Sequence, residues 1–291
     1  MKTAEVRKRR KISLGQPLIF ILLSIWALTT TYPIIWVVLN SFKDRRVILS
    51  NSFRLPFGEF FTMDNYRLAF QRVNILSAYK NSLIISGSVA IIVLLLAGLA
   101  SYVLVRYEFF SKKTLYSLVI AGMMFPVFST IIPVFQMQYS WGIVNTNKLG
   151  LSLLSTILPQ IAGNMSFAIV VLMGYIKSIP IELEEAAYME GCNILHIFFR
   201  VIVPLTKPSF ATVAIFSFLW SYNDLFTQMF FLRTKNQWAI TVLLNQLTSQ
   251  EGTNYGLMAA AVTLVVIPIL ILYVFLQKYI IKGMTAGAIK G

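Results

Sequence analysis

Few side chains in this sequence could do covalent or metal chemistry. The only cysteine is Cys192 and the only histidine is His196, so an intramolecular disulfide, a thiolate metal cluster and a histidine-based triad all lack material. No G-x-x-x-x-G-K-[ST] or G-x-G-x-x-G stretch occurs, so the chain should not hydrolyse ATP itself, and H-E-x-x-H is absent too. One carboxylate, Asp224, interrupts a long apolar stretch. It reads either as a helix-terminal or snorkelling group, or as a hydrogen-bonding partner for a polyhydroxylated ligand. A lone carboxylate is thin material for a proton relay. An enzyme reading has little to stand on.

The most informative stretch runs from Ile179 to Pro204. Pro180 suits the first turn of a helix. Glu182, Glu184 and Glu185 follow where the helix dipole favours anions. Ala186 and Ala187 are small enough to allow close approach of a partner, and Gly191 can take a positive φ and end the helix. A second amphipathic segment continues to Pro204. The expectation is a short, stiff surface helix with a close-packing face, joined to its neighbours by a glycine turn. A solvated amphipathic helix without a partner is the plainer alternative.

These groups must be positioned by apolar elements. Of 291 residues, 57% are hydrophobic and 12% charged, against about 25% charged in a soluble domain; mean hydropathy is +0.72. A bilayer-spanning helix needs about 20 apolar residues, and six segments qualify: Pro17–Leu39, Asn81–Val105, Leu115–Tyr139, Leu149–Ile176, Pro208–Leu232 and Gly256–Gln277. Asp224 makes the fifth the weakest. Period-two alternation is absent, which excludes a barrel. Prolines 126, 133, 159 and 268 should kink their helices. The fold class is therefore an all-α integral membrane protein of six transmembrane helices. Ile12–Phe42 is uncharged, too long for a signal core and without a cleavage site, so it is expected to be a retained first span.

Net charge is +14. A basic balance suits nucleic acid only where a basic face lies beside a soluble core; here the charges lie between apolar blocks, and no nucleic-acid partner is expected. With both termini inside, inner segments hold 15 basic residues and outer ones 10, which favours cytoplasmic termini. The discordant part is Lys43–Lys80, expected to be an ordered extracytoplasmic cap. The organisation is then a basic cytoplasmic tail (1–16), a first span (17–39), an extracytoplasmic segment (40–77), a five-helix domain (78–279) carrying the loop 177–207, and a cytoplasmic C-terminal tail (280–291).

Glu185-Ala186-Ala187-x3-Gly191-x9-Val201-x-Val203-Pro204 resembles the E-A-A-x3-G-x9-I-x-L-P loop of ATP-binding-cassette (ABC) importer permeases, with valines at the isoleucine and leucine positions. Two departures lie inside it: Glu190 stands where aspartate is frequent, and Cys192-Asn193 replaces a common Ala-Ser pair. Phe216–Phe226 is similar to the aromatic, Asn-containing fifth span of sugar-importer permeases. The ending Gln277–Gly291 looks like the Q-x5-G-[LM]-T-x-G-[AS]-[IV]-K-G tail of the maltose-permease-like branch, and Asn65-Tyr66-x3-Phe70 fits the same group.

The resemblance implies a type I ABC importer transmembrane domain with a cytoplasmic coupling helix, in a bacterial inner membrane. Its partners would be a second homologous permease subunit, two cytoplasmic ATPase subunits and an extracytoplasmic solute-binding protein. ATP and Mg would sit on the ATPase, with no cofactor or metal on this chain. ATPase coupling is expected at Glu185, Ala186, Ala187, Gly191 and Pro204, and tail contacts with the ATPase at Gly283, Thr285 and Gly287. For a sugar or oligosaccharide, aromatic faces and amides are suitable. Trp220, Tyr222, Asn223 and Asp224 form the best cluster, with Asn164 and Gln136 beside it; interfacial anchoring or helix packing is the plainer role for the aromatics. The alternatives of another class are an ion-coupled secondary sugar transporter, which would stop when the gradient collapses, and an accessory scaffold with no transport path.

Overall fold

The computed structural model describes the backbone of residues 15–72, 74–144, 146–250 and 254–288. The described elements are helical, with no strand among them. Two compact units are distinguished: the chain up to Ala69 with Glu251–Thr263, and Phe70–Gln250 with the chain from Leu264 onward. The basic tail up to residue 14 lies outside the described residues.

In the first unit, α1 (Gly15–Ser41) carries no charged residue, and none of its most apolar stretch is buried within the chain; only its end, Asn40 and Ser41, is. A helix apolar on all sides and uncovered by its own chain belongs in lipid or against another protein. Beyond it come α2 (Arg45–Ser50), a 3-10 turn (Gly58–Phe60) and α3 (Asp64–Arg72). The chain here is ordered by polar locks. The Asn65 amide donates to Ser41 O at 2.9 Å and Lys43 O at 2.8 Å, and the Tyr66 and Ser41 hydroxyls meet at 2.7 Å. Gly256 lies directly beneath, where a Cβ would come within 2.7 Å of Lys43 O. The Lys43 ammonium is buried and donates to Asn40 Oδ1 and Ser52 O. Burial pushes its pKa below the usual lysine range.

The second unit is built on α4 (Ile75–Arg106) and α7 (Leu149–Ile176), its most extensively packed pair. Asn74 caps α4 by accepting from Ser77 N. Small residues recur along α4 at buried positions Ala78, Ser82, Ser86, Ala90, Ala97 and Gly98, which lets neighbouring backbones approach closely. Ile85, Val89, Val93 and Ala97 share one core with Leu153, Ile157, Ala168, Ile169, Leu172 and Met173 of α7, which Leu104, Val213, Leu232 and Ala239 also join.

Two expected spans are not continuous helices. The segment Leu115–Tyr139 folds as α5 (Lys112–Met124) and α6 (Val127–Ser140), which meet at 105°. Pro126 has no N–H to continue α5 and forces Phe125 into an extended conformation, so the helix stops there. The segment Pro208–Leu232 folds as α11 (Lys207–Asn223) and α12 (Leu225–Phe231), divided at Asp224. Among the described residues, four helices are long and apolar enough to cross a membrane, or up to six if two bent pairs each count as one span; the second pair joins α11 to Ile194–Leu205, with an 85° bend. Pro133, Pro159 and Pro268 stay within helices.

Between the spans lie α8 (Glu182–Met189), α9 (Ile194–Ile197), a π-helical turn (Phe198–Ile202), α10 (Val203–Leu205) and α13 (Ile240–Gln250); the last helix is α14 (Tyr255–Ala288). The loop before α13 is tied to the start of α4. Asn81 donates to Asn236 O and Trp238 O at 3.1 Å each, and Ser82 Oγ accepts from Ile240 N.

Candidate functional site

The loop from Ile179 to Pro204 forms the short helix and glycine turn its sequence implies, but Pro180 lies in the turn ahead of the helix, before its N-cap Ile181, and not in its first turn. Helix α8 places Glu182, Glu184 and Glu185 in its first turn. At its other end Cys192 N donates to Ala187 O and Gly191 N to Tyr188 O, the paired bonds of a Schellman turn, with Gly191 at φ 81°. Asn193 then caps α9, accepting from His196 N at 2.9 Å. Pro204 lies just past the π-helical turn, where Val203 N reaches back to Phe198 O; its missing N–H breaks the regular ladder.

The faces of α8 divide sharply. Glu185 and Ala186 are exposed, as are Gly191 and Pro204, whereas Ala187 is half-buried and packs on the cluster formed by Tyr102, Ile176, Ile179, Ile197, Phe198 and Ile202. Only one of the two alanines is therefore open to a partner. Tyr188 is 66% and Met189 85% exposed. Glu184 points the other way, onto Tyr102 and Arg106 of α4. The sequence reading had assigned Glu184 no particular partner, since three carboxylates in one helical turn look alike until the helix is docked.

A cleft of about 320 Å³ opens where α7, α11 and α12 meet the start of α6. Trp220, Asp224 and Asn164 line it together with Gln160, Ser221, Phe128 and Phe226. Asp224 sits at the break between α11 and α12. Its Oδ1 accepts from Thr227 N at 3.1 Å, capping α12, and its Oδ2 accepts from Gln160 Nε2 at 3.0 Å. The Ser221 hydroxyl donates to Gln160 Oε1 at 2.5 Å, the Gln228 amide to Ser221 O, and the Thr241 hydroxyl to Gln228 Oε1. A relay of amides and hydroxyls thus fixes the carboxylate. Trp220 is held edge-on by Phe167 at 4.8 Å, with Phe216 at 5.5 Å, yet remains 46% exposed. Asn164 donates to Gln160 O, and its Oδ1 is buried with no protein partner among the described residues.

Three of the residues expected in this cluster lie elsewhere. Tyr222 is buried and stacks on Phe218, because a two-residue step along α11, about 200° of rotation, turns it to the opposite side from Trp220. Asn223 is exposed and donates to Leu219 O of its own helix. Gln136 is exposed on α6, outside the cleft. Gln160 and Ser221 were missed. The available signal for Gln160 was its spacing of four from Asn164, which puts both amides on one face of α7. Along the tail, the backbone of Gly283, Thr285 and Gly287 continues α14; their side chains, and residues 289–291 altogether, lie outside the described residues. No group of three metal-ligating side chains converges among the described residues.

Comparison with known proteins places these features in a family. The chain is 32% identical to the diacetylchitobiose uptake system permease protein NgcG of Streptomyces coelicolor, over 92% of this chain and 87% of that protein. It is also 32% identical to the melibiose/raffinose/stachyose import permease protein MelC of Bacillus subtilis, over 78% and 80%. A bacterial ABC transporter involved in import of the acidic polysaccharide alginate has the same fold, with TM-score 0.76 at 22% identity, covering 93% of this chain and 99% of that one. Such chains are transport components, not enzymes. Residues 93–286, two-thirds of the sequence, match the family of binding-protein-dependent transport system inner membrane components, and the chain belongs to that family as a multi-pass membrane permease with the type I ABC importer fold.

Proposed function

We propose that this chain forms half of the translocation pathway for a sugar or oligosaccharide, beside a second, homologous permease. Two ATPase subunits dock on the cytoplasmic side and an extracytoplasmic binding protein delivers the solute. The observation that carries the reading is the outward face of α8. Glu185, Ala186, Tyr188 and Met189 stand exposed on a short helix that a Schellman turn and the α4 contacts hold rigid. A stiff, shallow knob of this kind suits a groove on a motor subunit, and its displacement would turn the permease pair between inward- and outward-facing states by rigid-body motion. ATP and Mg belong to that motor, and both termini lie on its side of the membrane.

The cleft supports a carbohydrate as solute. An exposed tryptophan face, an unengaged amide oxygen on Asn164 and an anchored carboxylate are groups that bind hydroxyl-rich rings, and the relatives NgcG and MelC are named for oligosaccharide uptake. The tail around Gly283, Thr285 and Gly287 is a second contact with the ATPase pair.

The experiment is reconstitution of the permease pair, ATPase and binding protein in vesicles, with and without Ala186→Trp. The variant puts a large ring on the exposed face of α8. Loss of ATPase co-purification, or of binding-protein-stimulated hydrolysis and sugar uptake, is expected. Wild-type assembly, hydrolysis and uptake in the variant would remove α8 from the coupling path.

A further inference from the structure

The inner face of α8 carries a charge pair that the coupling motif does not include. Glu184 is buried, with its Oε2 accepting from the Tyr102 hydroxyl at 2.8 Å and its Oε1 from Arg106 Nε at 2.5 Å. The other arm of the guanidinium, Nη2, donates to Ile179 O at 2.8 Å. The side chains of Arg106 and Glu184 are 10% and 8% exposed. One arginine, the last residue of α4, therefore grips both the chain entering α8 and the helix's own first turn. Tyr102, the third member, is packed in the apolar cluster with Ile176, Ile179, Ile197 and Phe198.

Burial of such a pair adds little net stability compared with apolar packing, because desolvation offsets the attraction. What a guanidinium fork does supply is fixed direction and distance, which a single ammonium does not. The segment it spans needs that. Residues 177–181 are a turn between α7 and α8, and Gly191 ends α8 on the far side; either could absorb a push on α8 by changing φ and ψ. We propose that Tyr102, Arg106 and Glu184 are positioning residues that clip α8 to the end of α4. With the clip closed, displacement of α8 moves α4 and the α7 and α11 packing behind it. With it open, the same displacement is taken up in the adjoining turns.

The inference rests on α8 being the coupling element, and its test separates the two. In reconstituted vesicles containing the whole assembly, solute imported per ATP hydrolysed is measured for Glu184→Gln and Arg106→Lys. Both leave Glu185, Ala186, Tyr188 and Met189 untouched, so ATPase co-purification is retained. Glu184→Gln should lower the ratio by about fivefold or more, the low end of ordinary coupling between sites. Arg106→Lys, which has one donor group where two acceptors must be reached, should fall between it and wild type. An unchanged ratio with intact assembly overturns the clip. Should Glu184→Gln not reach the membrane, Tyr102→Phe removes a single O–H and leaves the ion pair; a lowered ratio supports the clip and a wild-type ratio overturns it. Failure of the underlying reading shows differently, as Ala186→Trp without effect on assembly or hydrolysis.

Discussion

At Asp224 the carboxylate is committed twice, capping α12 through Thr227 and accepting from Gln160. Asp224→Asn keeps an oxygen for the cap, where Asn and Asp serve equally, but it turns an amide toward the Gln160 amide. Losing that one hydrogen bond costs about 1 kcal/mol, and uptake should fall by roughly fivefold while staying insensitive to a protonophore when ATP is maintained. Uptake that collapses with the proton gradient at constant ATP would instead make this carboxylate part of an ion-coupled path. Gly191 presents a different case. A Cβ built there meets nothing within 4 Å, yet φ is 81°, so the constraint is backbone conformation alone. Asn tolerates this region and a β-branched residue does not. Gly191→Asn should retain sugar uptake, and Gly191→Val, strained by about 1–2 kcal/mol, should lose ATPase assembly or coupling; equal behaviour of the two would refute the argument. Trp220, Asp224 and Asn164 were legible as a group because each is unusual within an apolar span. Tyr222 and Asn223 were carried along only by sequence adjacency, and helical rotation separates them from the cleft. For Gln160 the one signal was its spacing of four from Asn164; its partners Asp224 and Ser221 become visible only once α7 crosses α11.

Helices show the same division between what composition fixes and what single residues fix. Uncharged runs identified α1, α4, α7 and α14, and the expected limits of α7 coincide with those observed. Hydropathy summed over a window passes straight through a break, so Pro126 marked a kink without its size of 105°, and Asp224 marked a weak point without showing that the helix divides there. Helix α13 was missed because Ile240–Gln250 is too short and too polar to register as a span. Where helices cross, a small residue decides the approach. At Gly98 an added Cβ would lie 3.0 Å from the Phe210 ring and 3.1 Å from Phe198. Gly98→Val should therefore overpack the α4–α11 crossing at a cost of about 1–3 kcal/mol, seen as a lower unfolding midpoint of the purified protein. Phe210→Ala in the same chain vacates the space, and the double variant should recover part of the loss, because neighbours in contact do not behave additively. A midpoint that drops further would mean that the crossing does not depend on this contact.

For the molecule as a whole, the family fixes what the chain is and leaves its orientation as the step on which the proposed mechanism depends. The coupling loop can meet an ATPase only if it faces the cytoplasm. The excess of basic residues on the segments assigned inside, 15 against 10, argues for that side, although the Lys43–Lys80 stretch works against it. Part of that discord has a structural answer: Lys43 is buried among neutral acceptors in an ordered segment, so it is not a free charge available to hold a loop at one surface. Cys192 supplies a reporter, as the only thiol in the sequence and part of the Schellman turn that ends α8. In intact cells a membrane-impermeant maleimide should leave it unmodified, and opening the membrane should allow labelling. The thiol is only half-exposed and packs on the cluster around Phe198, so slow reaction in the folded protein is expected even from the correct side. Labelling after denaturation sets the full signal against which both conditions are read. Efficient modification from outside intact cells would reverse the orientation and put α8 on the wrong side of the membrane for any cytoplasmic motor.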